Sequence, residues 1–431
     1  MTDYIKEYRN VIKNWKLMRI ITAGVISAFG SKISYFALLR KVYAISGGRV
    51  TDLGFLTICE MIPSILLGTV AGVLIDRLPR KWVMICSDIM NGMIIFTVIY
   101  INNLRLIYAV AFAAAAVNVF REPAQRALEP NLVDRGDIPL LNSFISSTNN
   151  LVTIIGSATG AAIVGFVGAD NAFVIDAATF WISAAVIFTI PLVEEHWSKD
   201  GRAGTIAQGI SGFLDGVSIM WKNKSIKLMV FIDVYLTFAM AMQGMLIYYF
   251  IKQTLKMGDK AELAWGTLLS SLGIGAVLGS LVIGIIVKRY KNRFKLFLNI
   301  LIFDGVFFAA FLMNKYFPLS VALFMFLGVI GSAYMIILNS VLQDTVADEN
   351  RGKVFSALSM LRSPMAIMSI LVGTTAAVYI TAQGVLLIAA GLEIVIALGV
   401  RLTRTYREVD RLYNGSVCIE GSMKIEESVK E

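Results

Sequence analysis

GVLIDRLPRKW, Gly72 to Trp82, places Asp76, Arg77, Arg80 and Lys81 within six residues and adds a proline, Pro79. On each side lies an apolar run long enough to cross a bilayer, which takes about 20 residues. Outward from this loop the pattern repeats. Apolar runs centre on 18–42, 53–75, 82–101, 105–123, 140–167, 172–192, 228–250, 263–287, 296–313, 319–341, 355–379 and 384–402. Only 16% of the 431 residues are charged, 57% are hydrophobic and the mean hydropathy is +0.72. Soluble domains carry nearer one-quarter charged residues. The chain therefore reads as an all-α polytopic membrane protein with twelve transmembrane helices.

The first 16 residues are polar and basic. The run after them is too long for a signal-peptide core and shows no small-residue cleavage site, so it reads as a retained first span. With the N-terminus inside, the connections assigned to the cytoplasm hold 27 of the 39 Lys and Arg residues, and the opposite connections hold six. Insertion sorts cations in this way. The net charge of +9 is thus a topology signal, with anionic lipid as a secondary partner and no call for nucleic acid. The expectation is a multi-pass protein of the inner (plasma) membrane with both termini in the cytoplasm.

The longest polar connection, 193–227, follows span 6 and contains IAQGISGFLDGVSIMW, which reads as an amphipathic helix lying on the membrane surface. The chain divides into a cytoplasmic segment 1–16, a six-helix half 17–192, the linker 193–227, a second half 228–402 and a cytoplasmic tail 403–431. The halves read as a parallel pseudo-repeat. GVLIDRLPRKW, from Gly72, aligns with GIIVKRYKNRF, from Gly284, at an offset of 212. Val133 and Ser143 align with Val346 and Ser356 at an offset of 213.

These residues carry a resemblance. The G-x-x-x-D-R-x-x-R-K loop between spans 2 and 3, with a degenerate basic copy between spans 8 and 9, resembles the signature loop of the major facilitator superfamily. Within it, DRLPRKWVMICSD (Asp76–Asp88), FREPAQRALEPNLV (Phe120–Val133) and DENRGKVFS (Asp348–Ser356) resemble the branch of macrolide-efflux and siderophore-export proteins. The match has departures. Pro79 replaces the usual glycine, Lys288 replaces the acid of the second loop, and GSATGAAIVG (Gly156–Gly165) lacks the proline of the antiporter motif.

The resemblance implies that the loop belongs to an intracellular gate, made of Gly72, Asp76, Arg77, Arg80, Lys81 and Asp88 with Arg351 and Gly352 at the start of span 11. Asp76 would sit at the N-terminus of span 11, near Arg351–Val354, a contact worth about 0.3–1 kcal/mol and up to about 2 when partly buried. Arg77, Arg80 and Lys81 would pair with acids such as Glu122, Glu129 or Asp88. Such pairs, broken as the halves rock, form a two-state latch. The plainer reading is that the cations only set topology.

Ionisable groups inside spans cost about 2.5–3.5 kcal/mol each on insertion scales and usually face a polar cavity. The candidates for a proton and substrate cavity are Lys32, Glu60, Asp233, Asp304, Met242 and Tyr248. Asp88, Asp233 and Asp304 lie about two turns from the cytoplasmic ends of their spans, where structural pairs are expected. Glu60 lies deeper, about 12 Å from the outer end of span 2. A partly desolvated carboxylate there can take a proton from outside and release it inside while a cationic drug competes for the same charge. The alternative is a Glu60–Lys32 ion pair that only fixes spans 1 and 2. Met240, Met242, Met245, Tyr248 and Tyr249 crowd span 7 and suit either a soft ligand surface or lipid-facing filler.

Cys59, Cys86 and Cys418 have no metal or disulfide spacing, His196 sits in a polar loop, and no phosphate loop is present. The chain reads as a cofactor-free, monomeric secondary transporter and not an enzyme, most simply a proton-coupled exporter of amphipathic small molecules. The alternatives are a siderophore or lysolipid carrier working by uniport or symport and, more remotely, a receptor or membrane enzyme.

Overall fold

The computed structural model describes residues 13–75, 77–134, 137–192, 206–289, 292–346, 348–404 and 406–408. Asp76, His196, Cys418 and most of 403–431 lie outside these residues. Apolar runs in a bilayer must satisfy every backbone group internally, so they fold as helices. Five make up the first half: α1 (Trp15–Ile45), α2 (Val50–Ile75), α3 (Arg80–Thr97), α4 (Leu104–Leu128) and α5 (Ile138–Phe188). A linker helix, α6 (Ile206–Lys222), leads to α7 (Lys224–Ala241), α8 (Gln243–Gln253), α9 (Ala261–Arg289), α10 (Arg293–Met313), α11 (Phe317–Thr345), α12 (Asp348–Tyr379) and α13 (Ala382–Leu402).

Polar side chains set several of the ends. Asn14, Asn103, Asn292 and Thr381 each accept an N–H of the first turn of α1, α4, α10 and α13. Gly48, at φ +82°, donates its N–H to the Tyr43 carbonyl at 2.9 Å and turns the chain out of α1.

Among the described residues, eleven segments are long and apolar enough to span a membrane. One of them, Leu140–Phe188, has 49 residues, about 70 Å of helix against a hydrocarbon core of about 30 Å. It bends at Gly168 (φ 82°, ψ 170°), a conformation open to glycine alone. Two crossings meet there, where the sequence pattern suggested separate runs, and the number of crossings is twelve. The seventh crossing is also broken, between α7 and α8 at Met242. The Ser369 hydroxyl of α12 accepts the Met242 N–H at 3.0 Å, which satisfies a backbone donor at the break.

The two six-helix halves follow one plan. The loop before α3 returns before α10, whose first residues are Arg80 and Arg293. Across the halves, α2 packs on α12 and α5 on α9. One apolar core, including Phe36, Leu39, Tyr248, Phe250 and Phe311, joins both halves near the cation-poor face. Toward the cation-rich face, Ile20, Ala71 and Ile85 belong to a core of the first half, and Phe294, Phe297 and Leu342 to a separate core of the second. The halves therefore close at one face and part at the other. The linker helix leans on the start of α12, where Lys353 bridges Asp215 at 2.9 Å, while Leu214 and Trp221 remain exposed.

Candidate substrate cavity

Below the shared core, a cavity of about 780 Å³ is enclosed by α1 to α5, with Leu269 of α9 on its wall. Drug-sized ligands occupy pockets of about 300–1,000 Å³. Leu38 and Val98 form its buried end and Glu122, 66% exposed, its rim, so it opens toward the cation-rich face. The α4 side of the wall is a helical stripe: Val110, Ala111, Ala114, Ala115, Asn118, Val119 and Glu122. Small alanines at this spacing leave the room that larger side chains would fill.

Four ionisable groups line the wall: Lys32, Glu60, Glu122 and Asp176. Glu122 pairs with Arg126 at 2.5 Å. Asp176 accepts hydrogen bonds from the Ser34 hydroxyl and, at 3.2 Å, the Thr179 hydroxyl. Lys32 and Glu60 form neither an ion pair with each other nor a hydrogen bond to any described residue. The pair that would merely fix spans 1 and 2 is therefore not made. Lys32 leans toward α5, where a Cβ built on Gly156 would lie 3.2 Å from its Cγ.

Four other residues singled out in the sequence line no part of this cavity. Asp233 is held by Arg362, at 2.7 and 2.5 Å, and by the Tyr334 hydroxyl. Asp304 lies against the carboxyl of Glu393, which also accepts from Gln243 at 3.3 Å. Met242 is buried against Gly373, and the Tyr248 hydroxyl donates to Glu262 at 2.7 Å. Physically, each lies among packed helices of the second half and not on the cavity wall, although one oxygen of Glu393, the neighbour of Asp304, has no hydrogen-bond partner among the described residues.

The loop cations also find partners other than those expected. Arg80 donates to the Ala127 carbonyl at 2.8 Å, and Lys81 to the carbonyls of Ile190 and Phe188 at 2.7 and 3.2 Å. Both cap helix ends, where the dipole favours a cation. The expected acids are engaged elsewhere. Asp88 is fully buried and takes hydrogen bonds from Arg121 and, at 2.6 Å, Ser183. Arg121 also reaches Ser27 at 2.9 Å and Gln125 at 2.8 Å, and Gln125 in turn donates to Glu129 at 2.7 Å. Arg77 is exposed. A Cβ on Gly72 would meet nothing within 4 Å. Arg351 reaches the Val346 carbonyl at 3.2 Å, and Gly352 lies within α12.

Sequence reading missed three features. Arg121 gathers α1, α3 and α4 around one charge, and its sequence signals, a cation at the end of an apolar run and a place in the Phe120–Val133 motif, did not disclose that role. Glu262 is buried with Lys252 at 3.2 Å and sits beyond the expected start of span 8. The outer faces of the halves meet where the Gln253 amide donates to the Tyr43 hydroxyl at 2.5 Å and Lys252 lies 4.5 Å over the Tyr43 ring.

A model of the family described as Major Facilitator Superfamily matches residues 20–370. The chain belongs to the major facilitator superfamily. The chain is 24% identical over 363 residues to the multidrug efflux pump Tap of Mycolicibacterium fortuitum, covering 81% of this chain and 86% of that protein. It is 25% identical over 322 residues, 74% of this chain and 78% of its relative, to BacE of Bacillus subtilis, whose provisional name is bacilysin exporter. Its fold matches the nucleoside transporter NupG with a TM-score of 0.70 at 14% identity, over 94% of this chain and 100% of that one. This superfamily member is thus a multi-pass membrane transporter whose relatives include efflux pumps.

Proposed function

We propose that this transporter is a proton-coupled exporter of amphipathic small molecules that works by alternating access. The observation that carries the reading is Glu60, a carboxylate without a partner among the described residues, on the wall of a cavity open to the cation-rich face. In an exporter that face is cytoplasmic, in keeping with the cation distribution, and substrate enters from there. Rocking the halves 17–192 and 228–402 opens the other face. Glu60 then exchanges substrate for a proton and carries the proton inward. The multidrug pump Tap and BacE support export over uptake. The protein works as a monomer in the inner membrane with both termini in the cytoplasm, and lipids contact its basic loops.

In proteoliposomes with an imposed pH gradient, the protein drives a labelled amphipathic drug against its gradient. Glu60→Gln abolishes that accumulation and keeps downhill movement. If the variant still concentrates drug, Glu60 does not couple. Asp76→Asn in the loop lowers transport about five- to thirtyfold at normal expression, because losing the charge–helix contact that the family resemblance implies would shift a two-state balance by about 1–2 kcal/mol. Unchanged transport would mean that the loop only sets topology. Single cysteines at 260 and 292 report the orientation: the first is labelled from outside, the second only after permeabilisation. The reverse pattern would sink the topology.

A further inference from the structure

We infer that the cavity takes a zwitterion, a molecule with an ammonium and a carboxylate at the two ends of an apolar body. This deepens the exporter reading and rests on it for the direction of movement. Of the four ionisable groups on the wall, Glu122 is paired with Arg126 and Asp176 is engaged by Ser34 and Thr179. Among the described residues, the charges left for a ligand are one of each sign, Lys32 on α1 and Glu60 on α2.

A monocation would satisfy Glu60 and leave the Lys32 ammonium uncompensated. A monoanion would do the reverse. Charges withdrawn from water are tolerated when both members of a pair are present, and removing one partner leaves the other exposed to the full desolvation cost. A ligand that carries both signs compensates both side chains at once. Between the charged walls, Ile95, Val98, Val110 and Ala111 offer an apolar surface. Tyr35, one turn along α1 from Lys32, lines the cavity beside them, and its hydroxyl is 3.5 Å from the Trp265 indole N–H of α9. Movement of α9 with the second half would therefore disturb the wall next to Lys32. The substrate class that fits is a short apolar peptide or another amino-acid-derived compound with free amino and carboxyl groups.

The test uses the full-length protein in nanodiscs at neutral pH and three forms of one dipeptide, phenylalanyl-leucine. These are the free zwitterion, the methyl ester as a cation and the N-acetyl derivative as an anion. Equilibrium binding is expected to be at least tenfold tighter for the zwitterion than for either derivative. Lys32→Gln should lower the zwitterion to the level of the ester, Glu60→Gln should lower it to that of the N-acetyl form, and Lys32→Arg should restore the preference. Equal binding of ester and zwitterion, a preference that survives Lys32→Gln, or no binding across the series overturns the inference. The wild-type series decides even if a variant fails to fold. A parallel arm in proteoliposomes separates the two readings. A zwitterion preference in binding without gradient-driven accumulation keeps the site and removes the exporter. Gradient-driven movement of the cation ethidium without a zwitterion preference keeps the exporter and removes the site.

Discussion

The two halves share a helical plan and handle intramembrane charge in opposite ways. In the second half, Asp233 is clamped by Arg362 and Tyr334, Glu262 by Lys252 and Tyr248, and Glu393 lies against Asp304 and Gln243. Each of these groups serves to join helices. The first half has such a centre in Asp88 with Arg121, toward the cation-rich face. Farther in, it leaves Lys32 and Glu60 on a cavity wall without partners among the described residues. Buried groups held by neighbouring helices rigidify, even where the second carboxyl oxygens of Glu262 and Glu393 find no partner among the described residues, whereas charges left on a cavity wall can bind. Under the proposed function, the second half serves as a stiff lever and the first handles the ligand.

The sharpest way to break this contrast is to remove one partner from a closed network. Arg362→Met leaves Asp233 buried and without its cation, and Arg121→Leu does the same to Asp88. Each should cost about 3–5 kcal/mol, seen as a lower midpoint of thermal unfolding in detergent and a smaller folded yield. If both variants melt like wild type, these pairs are not the struts described. Glu60→Gln sharpens the comparison from the other side. It removes a charge that binds no described residue, so the melting midpoint should hold while drug accumulation is lost. A large drop in stability would place Glu60 among the structural charges.

A smaller effect is expected where the halves touch. Tyr43→Phe deletes the acceptor of the Gln253 amide, a hydrogen bond worth about 0.5–1.5 kcal/mol net. The balance should move a few-fold toward the state open at the cation-poor face. Distances between spin labels on the outer ends of α1 and α8 would show a larger separated population. The smallest effect belongs to Lys353→Ala. The Lys353–Asp215 bridge joins two half-exposed side chains, and such surface pairs contribute about 0–1 kcal/mol. Transport should change less than twofold. A strong loss would make the linker helix part of the gate.

Much of this was readable along the chain. Hydropathy marked all twelve crossings, cations marked one face, and the 72–82 loop with its echo at 284 marked the family and its duplication. These are local properties, because a bilayer of fixed thickness selects continuous apolar runs whatever they pack against. Glu60 was legible as a deep acid. Its unpaired state was not, nor were the small-residue stripe of α4 as a cavity wall, the break at Met242 or the fusion of two crossings through Gly168. Asp88, Asp233 and Glu60 look alike in sequence, each a lone carboxylate in an apolar run. Arg121 lies 33 positions from Asp88 and Arg362 lies 129 from Asp233, and only helix packing brings them together. Glu60 faces a cavity enclosed mainly by the helices of the first half. Whether a buried charge is paired depends on which neighbours the folded helices present to it. For this chain that makes the difference between a strut and the proposed binding site.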